Sequence, residues 1–119
     1  LRILQQNLNH SSMAQNALLH RDPHRDFDIL LLQEPSINTL NGYTIANPNF
    51  AVAYPPDYDF DTKKPARAIT LINKDINTNA YEILPFPGRD VSAIQLKGEF
   101  GRITIFNIYN SCDNSDTIH

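Results

Sequence analysis

At 119 residues, with 41% hydrophobic and 19% charged side chains, the chain supports one domain with a core and buries only about two-thirds of its unfolded surface. The formal net charge is −3; residues 1–60 carry 3 basic and 6 acidic groups and residues 61–119 carry 7 of each. No basic block marks an affinity built on phosphate neutralisation, which leaves open an enzyme that brings cations to a phosphate. Cys112 is the only cysteine, so an internal disulfide and a Cys-based zinc site are excluded. The longest apolar run, Ile29 to Leu32, is too short to cross a bilayer, and no leader pattern is visible. These features predict a soluble intracellular domain without a membrane partner, and the Leu1 start predicts a cut or processed N-terminus.

LRILQQNLNH (1–10) reads as a strand over residues 1–8 that runs into amides. His10-Ser11-Ser12 offers N-cap candidates, and Met13, Ala14, Ala17 and Leu18 predict an amphipathic helix from Ser12 to about His20. Asp22-Pro23 stops it. DFDILLLQEP then reads as a strand buried on both faces and closed by Pro35. Strand, helix and buried strand within about 34 residues make a βαβ pattern with polar groups at both strand ends.

Gly42–Ala46 and Phe50–Tyr54 are short strand candidates separated by an Asn-Pro turn signal. Pro55 to Pro65 reads as a loop, ARAITLIN (66–73) as a strand, and Tyr81 to Phe86 as a weaker one ended by Pro87-Gly88. VSAIQLK and RITIFNIYN, joined by Gly98-Glu99-Phe100-Gly101, predict a hairpin. In its second strand Ile103, Ile105, Asn107 and Tyr109 share one face, and Thr104, Phe106, Ile108 and Asn110 the other. The whole predicts a mixed α/β sheet in which strands outnumber helices.

Asn7 and Asn9 end the first strand, Glu34 ends the second, and Asn107 and Tyr109 lie near the end of the last. Open α/β sheets bind ligands at strand ends. If the first strand and the 28–34 strand are neighbours, Asn7 and Glu34 meet at one edge. A carboxylate among amide oxygens is a hard donor set that suits Mg2+ better than zinc or copper. Each residue also has a structural reading: the asparagines as turn formers, Glu34 as a solvated strand terminus, Tyr109 as a cross-strand aromatic. His10, His20 and His24 read as solvated or capping residues, and Arg67 and Arg89 as strand-edge charges, with contact to a DNA backbone as the alternative.

QQNLNHSSMAQNALL (5–19), FDILLLQEP (27–35), YPP (54–56), PARAITLIN (65–73), GRDVSAIQL (88–96) and ITIFNIYN (103–110), in this order along almost the whole chain, resemble the endonuclease/exonuclease/phosphatase superfamily. Within it the likeness is to the endonuclease domain of LINE-type (non-LTR) retrotransposons. The resemblance implies a DNase I-like α/β fold: part of a four-layer α/β-sandwich, with mixed, mostly antiparallel sheets and one N-terminal helix. It implies that Glu34 ligates a catalytic Mg2+ (with Mn2+ as the alternative), that Asn7 helps hold the metal or the attacking group, and that Asn9 lines the site. Tyr109 would contact the scissile phosphate. The implied reaction is hydrolysis of a DNA phosphodiester, a nick that primes reverse transcription in the nucleus, with a reverse transcriptase domain in the same polypeptide or parent gene. A sugar- or lipid-phosphate phosphatase and a non-catalytic decayed fragment are the alternatives.

The chain departs from that family in two places. It has neither the Gly-Asp-x-Asn motif nor the closing Ser-Asp-His; SDTIH (115–119) does not match the latter, because Asp116 and His119 are not adjacent. Residues 1–119 therefore read as the N-terminal portion of such a domain, with little nicking activity alone and with an apolar sheet face left exposed. Cys112 matches no family role.

Overall fold

The computed structural model describes residues 1–37, 44, 47–55, 66–85 and 90–109. Among these described residues seven strands form two sheets, with one α-helix against the first. β1 (Ile3–Asn7), β2 (Ile29–Gln33), β3 (Phe50–Ala53) and β4 (Ala68–Asn73) make a sheet in the order β1-β2-β4-β3. β5 (Tyr81–Leu84), β6 (Val91–Gly98) and β7 (Gly101–Ile108) make an antiparallel sheet in that order. β1 and β2 are parallel, as the βαβ pattern requires, while β4 runs antiparallel to both β2 and β3.

The connection between β1 and β2 is α1 (Ser12–Leu19). Ser11 is the N-cap residue, with its Oγ accepting from the Ala14 N–H at 3.0 Å. Asp22, in left-handed backbone, and Pro23 then open a single 3-10 turn over Pro23–Arg25. The helix buries a face rotated from the one its apolar spacing predicts: Ala14 and Leu18 pack on the core as expected, and Met13 and Ala17 do not. Met13 is 81% exposed, Ala17 is exposed, and the residue that is fully buried is Gln15. An amide can take that place because both of its ends are satisfied: Nε2 donates to Thr44 Oγ1, and Oε1 accepts from the Ser36 N–H at 2.8 Å. Burial without such partners would cost several times what a buried hydrogen bond returns.

Between α1 and the first sheet lies a core of Leu8, Leu30, Leu32, Phe50, Ile69 and Leu71, with Ala14, Leu18 and Leu19 of the helix packed on it. On the other face, Ile29, Ala53 and Ile72 meet Ile94, Leu96 and Ile105 of the second sheet. β2 and β4 are therefore covered on both sides, which is why ILLLQ and AITLIN read as continuous runs rather than alternating ones. The outer face of the second sheet is another matter. Phe106 and Ile108, alternate residues of β7, stand 47% and 52% exposed, the apolar face that the sequence leads one to expect.

Gly42–Ala46 as a strand, the 55–65 loop, Pro87-Gly88, Arg89 and the tail containing Asn110 and Cys112 fall wholly or largely outside the described residues; Thr44 alone of the first forms an isolated bridge with Ile37. Among the described residues no helix is long and apolar enough to cross a membrane.

Candidate functional site

The polar residues singled out by sequence collect at one end of the two sheets. β1 and β2 pair in register Asn7 to Gln33, and the Leu8 N–H donates to the Gln33 carbonyl at 2.9 Å. Regular alternation along β2 would send Glu34 after Leu30 and Leu32 onto the helix face. Instead Glu34 leaves the extended region with φ of 48°. A left-handed residue that is not Gly, Asn or Asp costs roughly 1 kcal/mol or more, and here it precedes Pro35. The turn brings the carboxylate round to the second sheet, where the Tyr109 hydroxyl donates to Oε1 at 2.7 Å. These two residues are 75 positions apart in the chain.

Three backbone bonds hold this corner. The Glu34 N–H donates to the Arg67 carbonyl at 2.8 Å, the Tyr109 N–H to the Asp90 carbonyl at 2.8 Å, and the His10 N–H to the Glu34 carbonyl at 2.8 Å. The last comes from a second bend. Asn9 and His10 both have positive φ, 52° and 59°, and the Asn7 Oδ1 accepts from the Asn9 N–H at 2.9 Å. Asn7 is thus a turn former, as its structural reading has it, and it also stands on the rim beside Gln33. Asn9 is exposed on the same rim. Among the described residues, neither side chain hydrogen-bonds the Glu34 carboxylate.

Two further residues stand here, His10, whose sequence reading is solvated or capping, and Arg67, whose sequence reading is a strand-edge charge. His10 turns its Nε2 to 4.0 Å from Glu34 Oε1; no ligand-like spacing announces it, since the approach depends on the two left-handed residues. Arg67 places its guanidinium carbon 5.5 Å from the centre of the Tyr109 ring and its Nε 3.5 Å from Asp90 Oδ1. Only the β2–β4 register, invisible in one strand alone, sets it opposite Glu34.

Below the rim, Asn107 is buried rather than site-lining. Its Nδ2 donates to the Leu32 carbonyl at 3.1 Å and the Ile69 carbonyl at 2.7 Å, and its Oδ1 accepts from Gln33 Nε2. Gln5 Nε2 in turn donates to Gln33 Oε1 at 2.6 Å. The amides that crowd the end of β1 and β2 are thus partly an inter-sheet cross-link, with Gln5 its outermost member.

Among the described residues no three His, Cys, Asp or Glu side chains converge as a metal cluster. What the rim offers a cation is one carboxylate, with its side chain 18% exposed, and the Asn7 amide oxygen, whose second lone pair remains after the Asn9 bond. That all-oxygen set fits Mg2+, which keeps several waters and commonly takes one or two carboxylates from protein.

No family model matches the chain, and no curated protein does. Among solved structures it is similar to the endonuclease domain of TRAS1, described as a telomere-specific non-LTR retrotransposon, with a TM-score of 0.65 at 18% identity. The two share a fold. The match covers 95% of this chain and 46% of that one, so the chain spans just under half the length of the TRAS1 domain. Its helix and two sheets, mostly of strands, are in line with a DNase I-like endonuclease fold.

Proposed function

We propose that the chain carries the metal-holding rim of an Mg2+-dependent endonuclease that nicks DNA for a retroelement. The observation that supports this most is the contact between Glu34 and Tyr109: a carboxylate carried on left-handed backbone and a phenol, from opposite sheets, joined at 2.7 Å where both strands end. A solvated strand terminus has no need of a left-handed residue before proline, and backbone strain of this kind collects at functional sites. The resemblance of the motifs implies the same residues, and the fold shared with a retrotransposon endonuclease domain is in line with that reading.

In this reading Glu34 is the direct ligand of the ion, Asn7 adds an amide oxygen, and Asn9 lines the approach. A bound divalent cation would supply charge neutralisation at a phosphodiester and a more acidic attacking water. Tyr109 has one O–H, and in the structure it is spent on Glu34. A phosphate oxygen arriving beside Glu34 competes for that donor, so the phenol is poised to pass from the carboxylate to the phosphate as charge develops there. The substrate is DNA, the setting is nuclear, and the nick primes reverse transcription by a domain of the same polypeptide or parent gene.

The test is binding before catalysis. Titrating the chain with Mn2+ should broaden the amide signals of Asn7, Glu34 and Tyr109 selectively, and Glu34→Gln should abolish the effect. An absence of broadening at that corner would sink the metal reading and favour the non-catalytic alternative. With supercoiled plasmid and Mg2+, the chain should nick at no more than background, because its sequence contains neither Gly-Asp-x-Asn nor Ser-Asp-His. Vigorous nicking that Glu34→Ala removes would show that the first rim suffices.

A further inference from the structure

We infer that Arg67, with Asp90 as its anchor, is a positioning residue that holds the Tyr109 ring so that its hydroxyl stays on Glu34; the consequence for metal binding rests on the reading of Glu34 given above. Four observations converge on it. Arg67 immediately precedes β4 in the first sheet, and Asp90 immediately precedes β6 in the second. The ion pair between them, Nε to Oδ1 at 3.5 Å, therefore spans the gap between the sheets beside the rim. The backbone of the same two residues receives the site residues: the Arg67 carbonyl takes the Glu34 N–H and the Asp90 carbonyl takes the Tyr109 N–H, both at 2.8 Å. The guanidinium then lies over the face of the Tyr109 ring, at 5.5 Å from its centre.

These contacts form a closed circuit, Glu34 to Arg67 to Asp90 to Tyr109 and back to Glu34. Two of its links are backbone bonds, one is an ion pair and one is the phenol–carboxylate bond. Cutting the ion pair opens the circuit at the joint between the sheets. An arginine suits the place better than a lysine, because a planar guanidinium can lie over a ring while its edge meets a carboxylate. Asp90 is held to the same arrangement. Its Oδ1 is buried and accepts no hydrogen bond among the described residues, so the Arg67 charge is what compensates it there. A surface ion pair with no further task would be free to exchange partners with water.

The experiment compares Asp90→Asn with the double change Arg67→Ala/Asp90→Ala, since removing Arg67 alone strands a buried carboxylate oxygen and can unfold the chain. Tyrosine rings are isotope-labelled, and the Tyr109 signals are identified by their loss in Tyr109→Phe. The expected result is loss of the through-space contact between the Tyr109 ring protons and the Glu34 side chain in both variants. Amide signals in the centres of β4 and β6 should stay in place. Mn2+ affinity at Glu34 should fall ~10-fold, the lower end of what loss of an outer partner does to a metal site. Retention of the Tyr109–Glu34 contact in a folded double variant overturns the proposal. A wild-type chain that shows the contact and its dependence on Asp90 but binds no Mn2+ leaves the positioning role standing and removes the metal reading.

Discussion

Asn107 gives the sharpest test of how the two sheets are joined. Replacing it by Ala removes three hydrogen bonds from a site that is 1% exposed. Each is worth about 1 kcal/mol net. The two carbonyls, Leu32 and Ile69, each keep a further lone pair, so the severe loss falls on Gln33, whose Nε2 is left as a buried donor at about 1–3 kcal/mol more. The expected destabilisation is therefore about 4–6 kcal/mol, a large part of the 5–15 kcal/mol that a domain usually has. Urea unfolding followed by far-ultraviolet circular dichroism would read it as a fall in midpoint at nearly constant slope. The double variant Gln33→Leu/Asn107→Leu removes donor and acceptor together and should be less destabilised than Asn107→Ala, because its stranded group is gone and apolar volume is kept. A loss below about 1 kcal/mol for Asn107→Ala, or a double variant that is worse by the sum of its parts, would refute the view that this amide welds the sheets.

Other perturbations test single links. Ser11→Ala removes the oxygen that accepts the Ala14 N–H and should cost about 1 kcal/mol in thermal or urea unfolding, with α1 fraying first in hydrogen exchange. Gly101→Ala meets no atom within 4 Å, but its φ of 98° is unsuited to a side chain. The cost, about 1–2 kcal/mol, should thus be purely conformational, whereas a Cβ at Gly98 meets the exposed Phe100 ring at 2.6 Å and should cost less as the ring swings aside. Phe106→Ser with Ile108→Thr should lower concentration-dependent light scattering while changing stability by no more than about 1 kcal/mol, since both residues are half exposed. Equal scattering from the parent chain and the variant would show that this face does not drive association.

The layers were legible where burial alone decides the pattern. DFDILLLQEP is apolar without alternation because the strand it forms has the helix on one face and the second sheet on the other. The hairpin was legible because Gly98 and Gly101 flank a two-residue loop and pair with each other, and β7 alternates as a half-covered strand should. What could not be read was everything set by φ or by register. Spacing counts apolar positions, and so it assigned Met13 to the buried face of α1; Gln15 holds that place only because Ser36 and Thr44, more than 20 residues away, satisfy its amide. In the same way His10 and Arg67 join the site through two left-handed residues and one antiparallel register, neither of which leaves a mark on composition.

The run of amides in ILQQNLN (3–9) has a physical explanation that joins fold to site. A strand end in a two-sided sheet must dispose of polar backbone in a place that water reaches only from one direction. Gln5, Gln33 and Asn107 do so inward, as a chain of side-chain amides reaching the second sheet. Asn7 and Asn9 do so outward, by closing a turn whose next residue, His10, bonds the Glu34 carbonyl. The inner amides fix the spacing of the sheets and the outer ones fix the backbone of Glu34, so its carboxylate meets Tyr109 without either residue having to search for the other. Pre-organisation of that kind is what a site needs if it is to order a hydrated cation and a phosphate together, because each degree of freedom frozen in advance is one that binding need not freeze. The strain at Glu34 is then borne by the whole corner, and relaxing any one of the outer bonds should loosen the carboxylate before it loosens the sheet.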